Sequence, residues 1–243
     1  MSASAARISV CLATLNGERF IEPQVQSILL QLRSDDELVV SDDGSTDATL
    51  DKVRSFSDSR VRVLLSRERG VATNFEHALR HATGDYIFLA DQDDVWLPGK
   101  VEVMCSALAD KVLAVSDCKV ADAELRVVNE SYFALVKSGP GFLRNLFRNT
   151  YLGCCMAFRR ELLDLALPIP RGVAHDYWIG MVAELFDHPV FVPRPLLLYR
   201  RHRSAASYAA AKSQRRLDTR LAARWVLAMQ LAKRLPRIRE RRG

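Results

Sequence analysis

The chain has 243 residues, 49% of them hydrophobic, which is enough to bury one sizeable core with the composition of an ordinary globular protein. Its net charge of +6 is unevenly placed: residues 201–243 hold 13 Lys and Arg against 2 Asp and Glu, a net of +11, which leaves residues 1–200 at 22 minus 27, or −5. An acidic body with a basic tail argues against an extended nucleic-acid surface, so no nucleic-acid partner is expected. The five cysteines, at positions 11, 105, 118, 154 and 155, lack paired metal-site spacing and read as reduced, buried small hydrophobes. No apolar run reaches the roughly 18–20 residues of a spanning helix, and the first residues lead straight into a strand pattern, so the expected location is cytoplasmic.

In chain order, Ile8–Thr14 is a short apolar run, followed by Phe20, Ile21, Val25, Ile28, Leu29 and Leu32 at helical spacing. The unit repeats: strand over 37–41, helix over 46–56, strand over 61–65, helix over 71–82, strand over 86–90. Such alternation predicts an α/β fold with a mostly parallel central sheet covered by helices on both faces. A helix over 101–109 and a strand over 112–115 follow, then a less periodic stretch to Asn149 with a loop at Gly139-Pro140-Gly141. The pattern resumes with a strand over 153–158, a helix over 176–186 and a strand over 190–199.

In parallel sheets the chemistry gathers beyond the carboxyl ends of the strands. Asp42-Asp43-Gly44-Ser45-Thr46-Asp47 follows the second strand; its carboxylates can accept from a uracil or thymine ring and from ribose hydroxyls, or the segment can be a helix cap with acidic neighbours. Asp91-Gln92-Asp93-Asp94 follows an apolar strand and crowds three carboxylates into one loop. A divalent cation relieves that repulsion, and Mg²⁺ or Mn²⁺ held by Asp91 and Asp93 together with substrate phosphates fits the pattern; a solvated acidic turn is the plainer alternative.

These segments, together with Ser9-Val10-Cys11-Leu12-Ala13-Thr14-Leu15-Asn16-Gly17 and Ala90-Asp91-Gln92-Asp93-Asp94-Val95-Trp96, resemble family 2 inverting glycosyltransferases of the GT-A fold. The Asp-Gln-Asp-Asp-x-Trp form is most similar to the rhamnosyltransferase-like branch that builds bacterial surface polysaccharides. The resemblance implies a GT-A domain over residues 1–205 and a tail over 206–243. It implies a UDP- or dTDP-sugar donor lying against Thr14, Asn16, Glu18, Asp43, Asp91 and Gln92, with Asp43 reading the base, and a metal held by Asp91 and Asp93. It further implies that Asp176, in Ala174-His175-Asp176-Tyr177-Trp178, is the general base, beside which Tyr177 and Trp178 can stack on sugar faces; a helix N-cap at Asp176 with Trp178 in the core is the plainer alternative. In Tyr199-Arg200-Arg201-His202-Arg203-Ser204 it makes His202 a metal or diphosphate contact and Arg200 or Arg203 a partner for the leaving phosphate; a solvated basic turn is the alternative.

Lys100 reads as a solvated lysine and is left out of the catalytic set, and Cys154 and Cys155 read as core filling. A sugar nucleotidyltransferase is the nearest rival, but the loop after the first strand, Ala13-Thr14-Leu15-Asn16-Gly17-Glu18, lacks a Gly-rich, basic grip for a triphosphate. A non-catalytic nucleotide- or membrane-binding module is the other. In the tail, Leu217, Leu221, Trp225, Ala228, Leu231 and Leu235 share a helical stripe flanked by Arg216, Arg220 and Arg224. That stripe suits an anionic membrane surface at the inner face of the cell membrane and a lipid-linked saccharide acceptor, or else packs on the body. A disordered end is expected after Pro236.

Overall fold

The computed structural model describes residues 6–202 and 217–242. Nine strands form one sheet: β1 (Ile8–Thr14), β2 (Glu37–Asp42), β3 (Val61–Leu65), β4 (Tyr86–Asp91), β5 (Val95–Trp96), β6 (Leu113–Ala121), β7 (Val127–Asn129), β8 (Met156–Arg159) and β9 (Val190–Arg200). Their spatial order is β3-β2-β1-β4-β8-β6-β9-β5, with β7 paired to β6. The alternating first half gives the expected parallel array, β3, β2, β1 and β4 all running the same way. Beyond it β8 runs antiparallel to both β4 and β6, while β9 returns parallel to β6 and antiparallel to β5.

Helices α1 (Ile21–Leu29), α2 (Thr49–Ser55), α3 (Val71–His81), α4 (Lys100–Ala107), α5 (Tyr132–Val136), α6 (Phe142–Phe147), α7 (Arg160–Ala166) and α8 (His175–Phe186) pack around the sheet. Six of the seven residues of β1 are buried, because a strand flanked by β2 and β4 and covered by helices has no wet face. α1 turns Ile21, Val25, Ile28 and Leu29 inward, and α3 buries Phe75, Ala78 and Leu79, each at the spacing that puts one stripe on the core.

Several expectations shift. β6 is nine residues long, since it continues through Ser116, Asp117 and Lys119, which hide the strand from an apolar-run reading although the first two are buried. The strand expected over 153–158 is a 3-10 turn at Gly153–Cys155 that leads into β8. The aperiodic stretch contains β7, α5 and α6. α7, with Leu162, Leu163, Leu165 and Ala166 buried and Arg160, Glu161 and Asp164 on its wetter side, spans only seven residues, too few for its period to stand out.

The tail forms helix α9 (Leu217–Arg242). It runs through Pro236 rather than ending there, because Ile238 is buried beyond it and Arg241 pairs with Asp164 at 3.1 Å. The inward stripe is Leu227, Leu231 and Ile238, while Trp225 and Ala228 face outward; the helix is therefore rotated from the expected stripe. Arg234 anchors it, donating to the Pro168 carbonyl at 2.8 Å. Arg203, Arg216, the 205/206 boundary and the side chains of Leu217, Arg220 and Leu221 lie outside the described residues. No helix among the described residues is long and apolar enough to cross a membrane.

One buried carboxylate holds the corner where α8 meets α6. Glu184 Oε1 accepts from Gly141 N at 2.7 Å, Tyr151 Oη at 2.8 Å and Asn145 Nδ2 at 3.3 Å, joining α8 to α6 and to the loop before β8. Gly180, one turn earlier, lies under the Tyr151 ring, where a Cβ would come within 2.5 Å of ring carbons. Glu184→Ala leaves the Gly141 N–H and the Tyr151 hydroxyl without this acceptor, while Asn145 Nδ2 keeps the Gly139 and Gly141 carbonyls, and the expected cost is about 2–4 kcal/mol, a fall in Tm of about 5–10 °C. Urea and thermal unfolding of the variant check this, with Tyr151→Phe losing about 1 kcal/mol by comparison.

Candidate active site

Strand register brings the sequence motifs together. Thr14 at the end of β1 pairs with Asp42 at the end of β2, and Ala13 pairs with Asp91 at the end of β4, so all three loops open along one edge of the sheet.

The two aspartates after β2 have different jobs. Asp42 Oδ1 accepts from Gly44 N and Ser45 N at 3.0 and 2.8 Å, and its Oδ2 accepts from Thr14 Oγ1 at 2.9 Å and Ser45 Oγ at 2.5 Å. It is a turn clamp with nothing to spare, and Gly44 supplies the turn's positive φ of 88°. Asp43 holds Gly70 N at 2.9 Å through Oδ2 and leaves Oδ1 buried with no partner. Beside it, Asn74 donates to the Thr14 carbonyl at 3.2 Å, the same oxygen that accepts from Asp43 N at 2.9 Å, and its Oδ1 is likewise buried and unpaired. Two orphaned oxygens beside one backbone carbonyl make a polar corner short of N–H donors. Asn74 was not anticipated, because a lone Asn in a helical pattern carries no signal until α3 is docked on β1 and β2.

Asn16 and Glu18 face the neighbouring loop. Asn16 Oδ1 accepts from Thr46 N at 2.9 Å, and Glu18 Oε2 accepts from Ala48 N at 2.9 Å, so both staple the β1–α1 loop to the β2–α2 loop. Gln92 does the same from the other side, accepting from Leu15 N at 2.9 Å and donating to the Leu15 carbonyl at 3.0 Å.

The acidic loop divides into two pairs. Asp93 Oδ2 lies 2.7 Å from His202 Nε2, and the His202 ring packs on Phe20 at 4.6 Å between centroids. Asp91 and Asp94 face Cys154, with one ligand atom from each within 4.8 Å of the others. Asp94 is fully buried: Oδ1 accepts from Arg200 N at 3.0 Å and Oδ2 has no partner. Burial, reinforced by the neighbouring Asp93 and Asp176 carboxylates, pushes the Asp91 carboxyl up to about 7. Burial also raises Asp94 well above the usual carboxylate range, with Asp93 and Asp91 adding to it. Such a cluster is short of positive charge, and its oxygen-rich donor set fits Mg²⁺ or Mn²⁺. Burial keeps the Cys154 thiol protonated, so the carboxylates are the anionic ligands of the group.

Arg200 builds the wall behind this loop. Its Nε donates to the Asp93 carbonyl at 2.6 Å, its Nη1 to the Ala123 carbonyl at 2.5 Å, and its guanidinium carbon lies 4.6 Å from the Phe20 ring centroid. The residue expected to meet a phosphate is thus spent on framework. Lys100, expected to be solvated, is fully buried: Nζ donates to the Cys154 carbonyl at 2.6 Å and sits 4.7 Å from the Trp96 ring centroid, and burial lowers its pKa. Its place in the first turn of α4 hid this, since only the packing of α4 against the turn before β8 encloses it.

Asp176 lies in the first turn of α8, half-buried, its Oδ1 accepting from Tyr177 N at 2.6 Å. Its charge reaches Asp91, which brings the base expected from the sequence to the same corner as the acidic loop. Tyr177 is half-buried with its hydroxyl on the Leu146 carbonyl at 2.9 Å. Trp178 is corrected: it is fully buried, its indole N–H on the Ala166 carbonyl at 2.6 Å, because helical spacing turns it inward from Asp176, and it has no face to offer a sugar. His175, stacked on Phe75 at 3.9 Å, is buried with Nε2 unpaired, and burial lowers its pKa.

Known proteins resemble this chain in sequence and in fold. The family described as glycosyl transferase family 2 matches residues 9–165. WfgD of Escherichia coli, a UDP-Glc:alpha-D-GlcNAc-diphosphoundecaprenol beta-1,3-glucosyltransferase, is 36% identical over 177 residues, covering 72% of this chain and 68% of its own. The S. aureus TarS 1–349 structure in complex with UDP-GlcNAc superposes with a TM-score of 0.73 at 19% identity, over 92% of this chain and 66% of that one. Glucosyl-3-phosphoglycerate synthase from Mycobacterium tuberculosis, in complex with Mn²⁺, UDP and glucosyl-3-phosphoglycerate, gives a TM-score of 0.60 at 22% identity, over 95% of this chain and 80% of that one. At those identities the structures speak for the fold, and the sequence match decides the family: the chain belongs to glycosyl transferase family 2 and is built on its GT-A fold.

Proposed function

We propose that the chain transfers a sugar, with inversion, from a UDP- or dTDP-sugar to a hydroxyl of a saccharide carried on a lipid diphosphate, in the assembly of a bacterial surface polysaccharide on the cytoplasmic face of the membrane. The observation that carries this reading is the corner where Asp91, Asp94 and the Asp93–His202 pair meet Asp176. The rhamnosyltransferase-like motif form leaves dTDP-rhamnose among the donors, and the undecaprenol-linked substrate in the name of WfgD supports the lipid-linked acceptor.

In this mechanism Asp43 Oδ1 and Asn74 take the base, and Asp91, Asp93 and Asp94 would hold a divalent cation, with His202 beside Asp93. When bound, the cation offsets the charge gathering on the departing diphosphate. Asp176 accepts the acceptor's hydroxyl proton as that oxygen forms its bond to the anomeric carbon from the opposite face. The bond to the diphosphate oxygen breaks and its electron pair leaves with the nucleotide. Tyr177 holds the acceptor side through Leu146. The catalytic unit is residues 1–205, with 206–243 as its appendage. Incubation with UDP-glucose, UDP-N-acetylglucosamine or dTDP-rhamnose, Mn²⁺ and a lipid-linked acceptor tests the reading. Inverted product and free nucleoside diphosphate are expected; retained configuration, or pyrophosphate release from a nucleoside triphosphate, would overturn it.

Protonation gives a pH-dependent expectation. The folded Asp91 pKa of about 7 stands above its ordinary 3.8, so its contribution to stability is complete below 3.8 and is lost as pH rises through about 7. Metal-free protein should therefore lose Tm from about pH 4 to about pH 7, and the Mn²⁺-induced rise in Tm should be larger at about pH 8 than at about pH 6, because the cation displaces that proton. Asp91→Asn should flatten both trends in differential scanning fluorimetry.

Asp176→Asn should lower kcat by roughly 10²–10⁴-fold and leave UDP affinity unchanged, measured by steady-state kinetics and calorimetry. Asp43→Asn, which cannot present a charged acceptor, should weaken UDP binding by about tenfold or more, and Asn74→Ala by up to about tenfold, with the Mn²⁺ response retained in both.

A further inference from the structure

Exposed apolar side chains gather on two elements that touch. Of the twelve large hydrophobic residues exposed among the described ones, five lie on α6 and α9: Leu143 and Phe147, and Trp225, Val226 and Met229. Phe147 and Trp225 are 63% and 69% exposed, high values for aromatic side chains on packed helices. Leu143 and Phe147 are four residues apart, as are Trp225 and Met229, so each helix presents them as a pair on one face. Arg224 joins the two helices, donating to the Phe147 carbonyl at 2.5 Å with its guanidinium carbon 5.6 Å from the Phe147 ring centroid.

The rim of this ridge is basic. Arg144 and Arg148 on the α6 side, and Lys233, Arg237 and Arg239 along α9, are exposed. None of them forms an ion pair among the described residues. Residues 219–243 hold eight Lys and Arg against one acid, Glu240. Two copies meeting through this face would press two basic rims together. A nucleic acid would find its phosphates opposite Leu143, Val226 and Met229. Tryptophan and phenylalanine on an apolar ridge with a cationic border match the headgroup zone of an anionic bilayer.

We propose that α6 and α9 together form a docking face for an anionic lipid bilayer, oriented so that a lipid-linked acceptor reaches Asp176. The orientation follows from α6: the Leu146 carbonyl holds the Tyr177 hydroxyl at 2.9 Å, and Tyr177 is the neighbour of Asp176. The acceptor part of this proposal rests on the reaction proposed above, whereas the lipid contact stands on the surface itself.

Co-sedimentation of the full chain with vesicles of phosphatidylcholine, with or without phosphatidylglycerol, tests it. Binding to the phosphatidylglycerol vesicles and little to phosphatidylcholine alone is expected. Phe147→Ser with Trp225→Ser should cut that partitioning on the order of a hundredfold, about tenfold for each buried side chain lost. Arg148→Glu with Lys233→Glu should reduce it as added salt does. Both double variants should keep the wild-type Tm and metal-dependent hydrolysis of the sugar nucleotide. The Ser pair should raise KM for an acceptor embedded in vesicles and leave transfer to a short-chain soluble acceptor unchanged. No binding to phosphatidylglycerol vesicles, or equal binding by the Ser pair, overturns the docking face. So does sedimentation equilibrium showing a dimer that the Ser pair converts to a monomer. Vesicle binding by a chain that transfers no sugar overturns the reaction and upholds the surface.

Discussion

Negative charge packed into a space with little water is the constraint around which the rest is arranged. Asp91, Asp93 and Asp94 leave one strand end within four residues, and Asp176 faces them from α8. Burial and the neighbouring carboxylates favour the protonated forms of Asp91 and Asp94. The loop is tied down from the end of the last strand: the Asp94 carboxylate takes the Arg200 N–H, the Arg200 guanidinium donates to the Asp93 carbonyl, His202 pairs with Asp93, and β5 pairs with β9 alongside. β9 thus does two things, completing the sheet beside β6 and holding the acidic loop at its end.

That arrangement explains which parts could be read in advance. The parallel half of the sheet was legible because each strand there is a continuous apolar run followed by a helix with one apolar stripe, a pattern set by local physics. The carboxylate loops were legible for the same reason, since they sit where those runs stop. The burial of Lys100, the part played by Asn74 and the tie of Asp94 to Arg200 were not. Each residue looks ordinary beside its sequence neighbours, and each acquires its meaning from a partner far along the chain: Cys154, Thr14 and Arg200 respectively. Trp178 failed in the opposite direction, because adjacency to Asp176 suggested a shared surface that helical geometry denies. The tail was half legible: its helix and its basic character were plain, but only docking on α7 and α8 fixes which leucines turn inward and carries the helix past Pro236.

The paired aspartates after β2 carry a related lesson. Adjacent in sequence and alike in chemistry, Asp42 and Asp43 alternate across the strand end, so one is consumed by the turn and the other keeps an unfilled oxygen. Sequence spacing identifies the pair, and hydrogen-bond saturation separates them.

Gln92 lies between two carboxylates, and its amide grips Leu15 through both its oxygen and its nitrogen. A carboxylate at that position could not donate to the Leu15 carbonyl, and a small aliphatic side chain could do neither. The two strand-end loops therefore travel as a single jaw: whatever displaces the acidic segment drags the peptide beside Thr14 with it. A ligand that spanned that jaw would meet one preassembled cradle, the ordering entropy of the separate segments having been settled during folding instead of at each encounter.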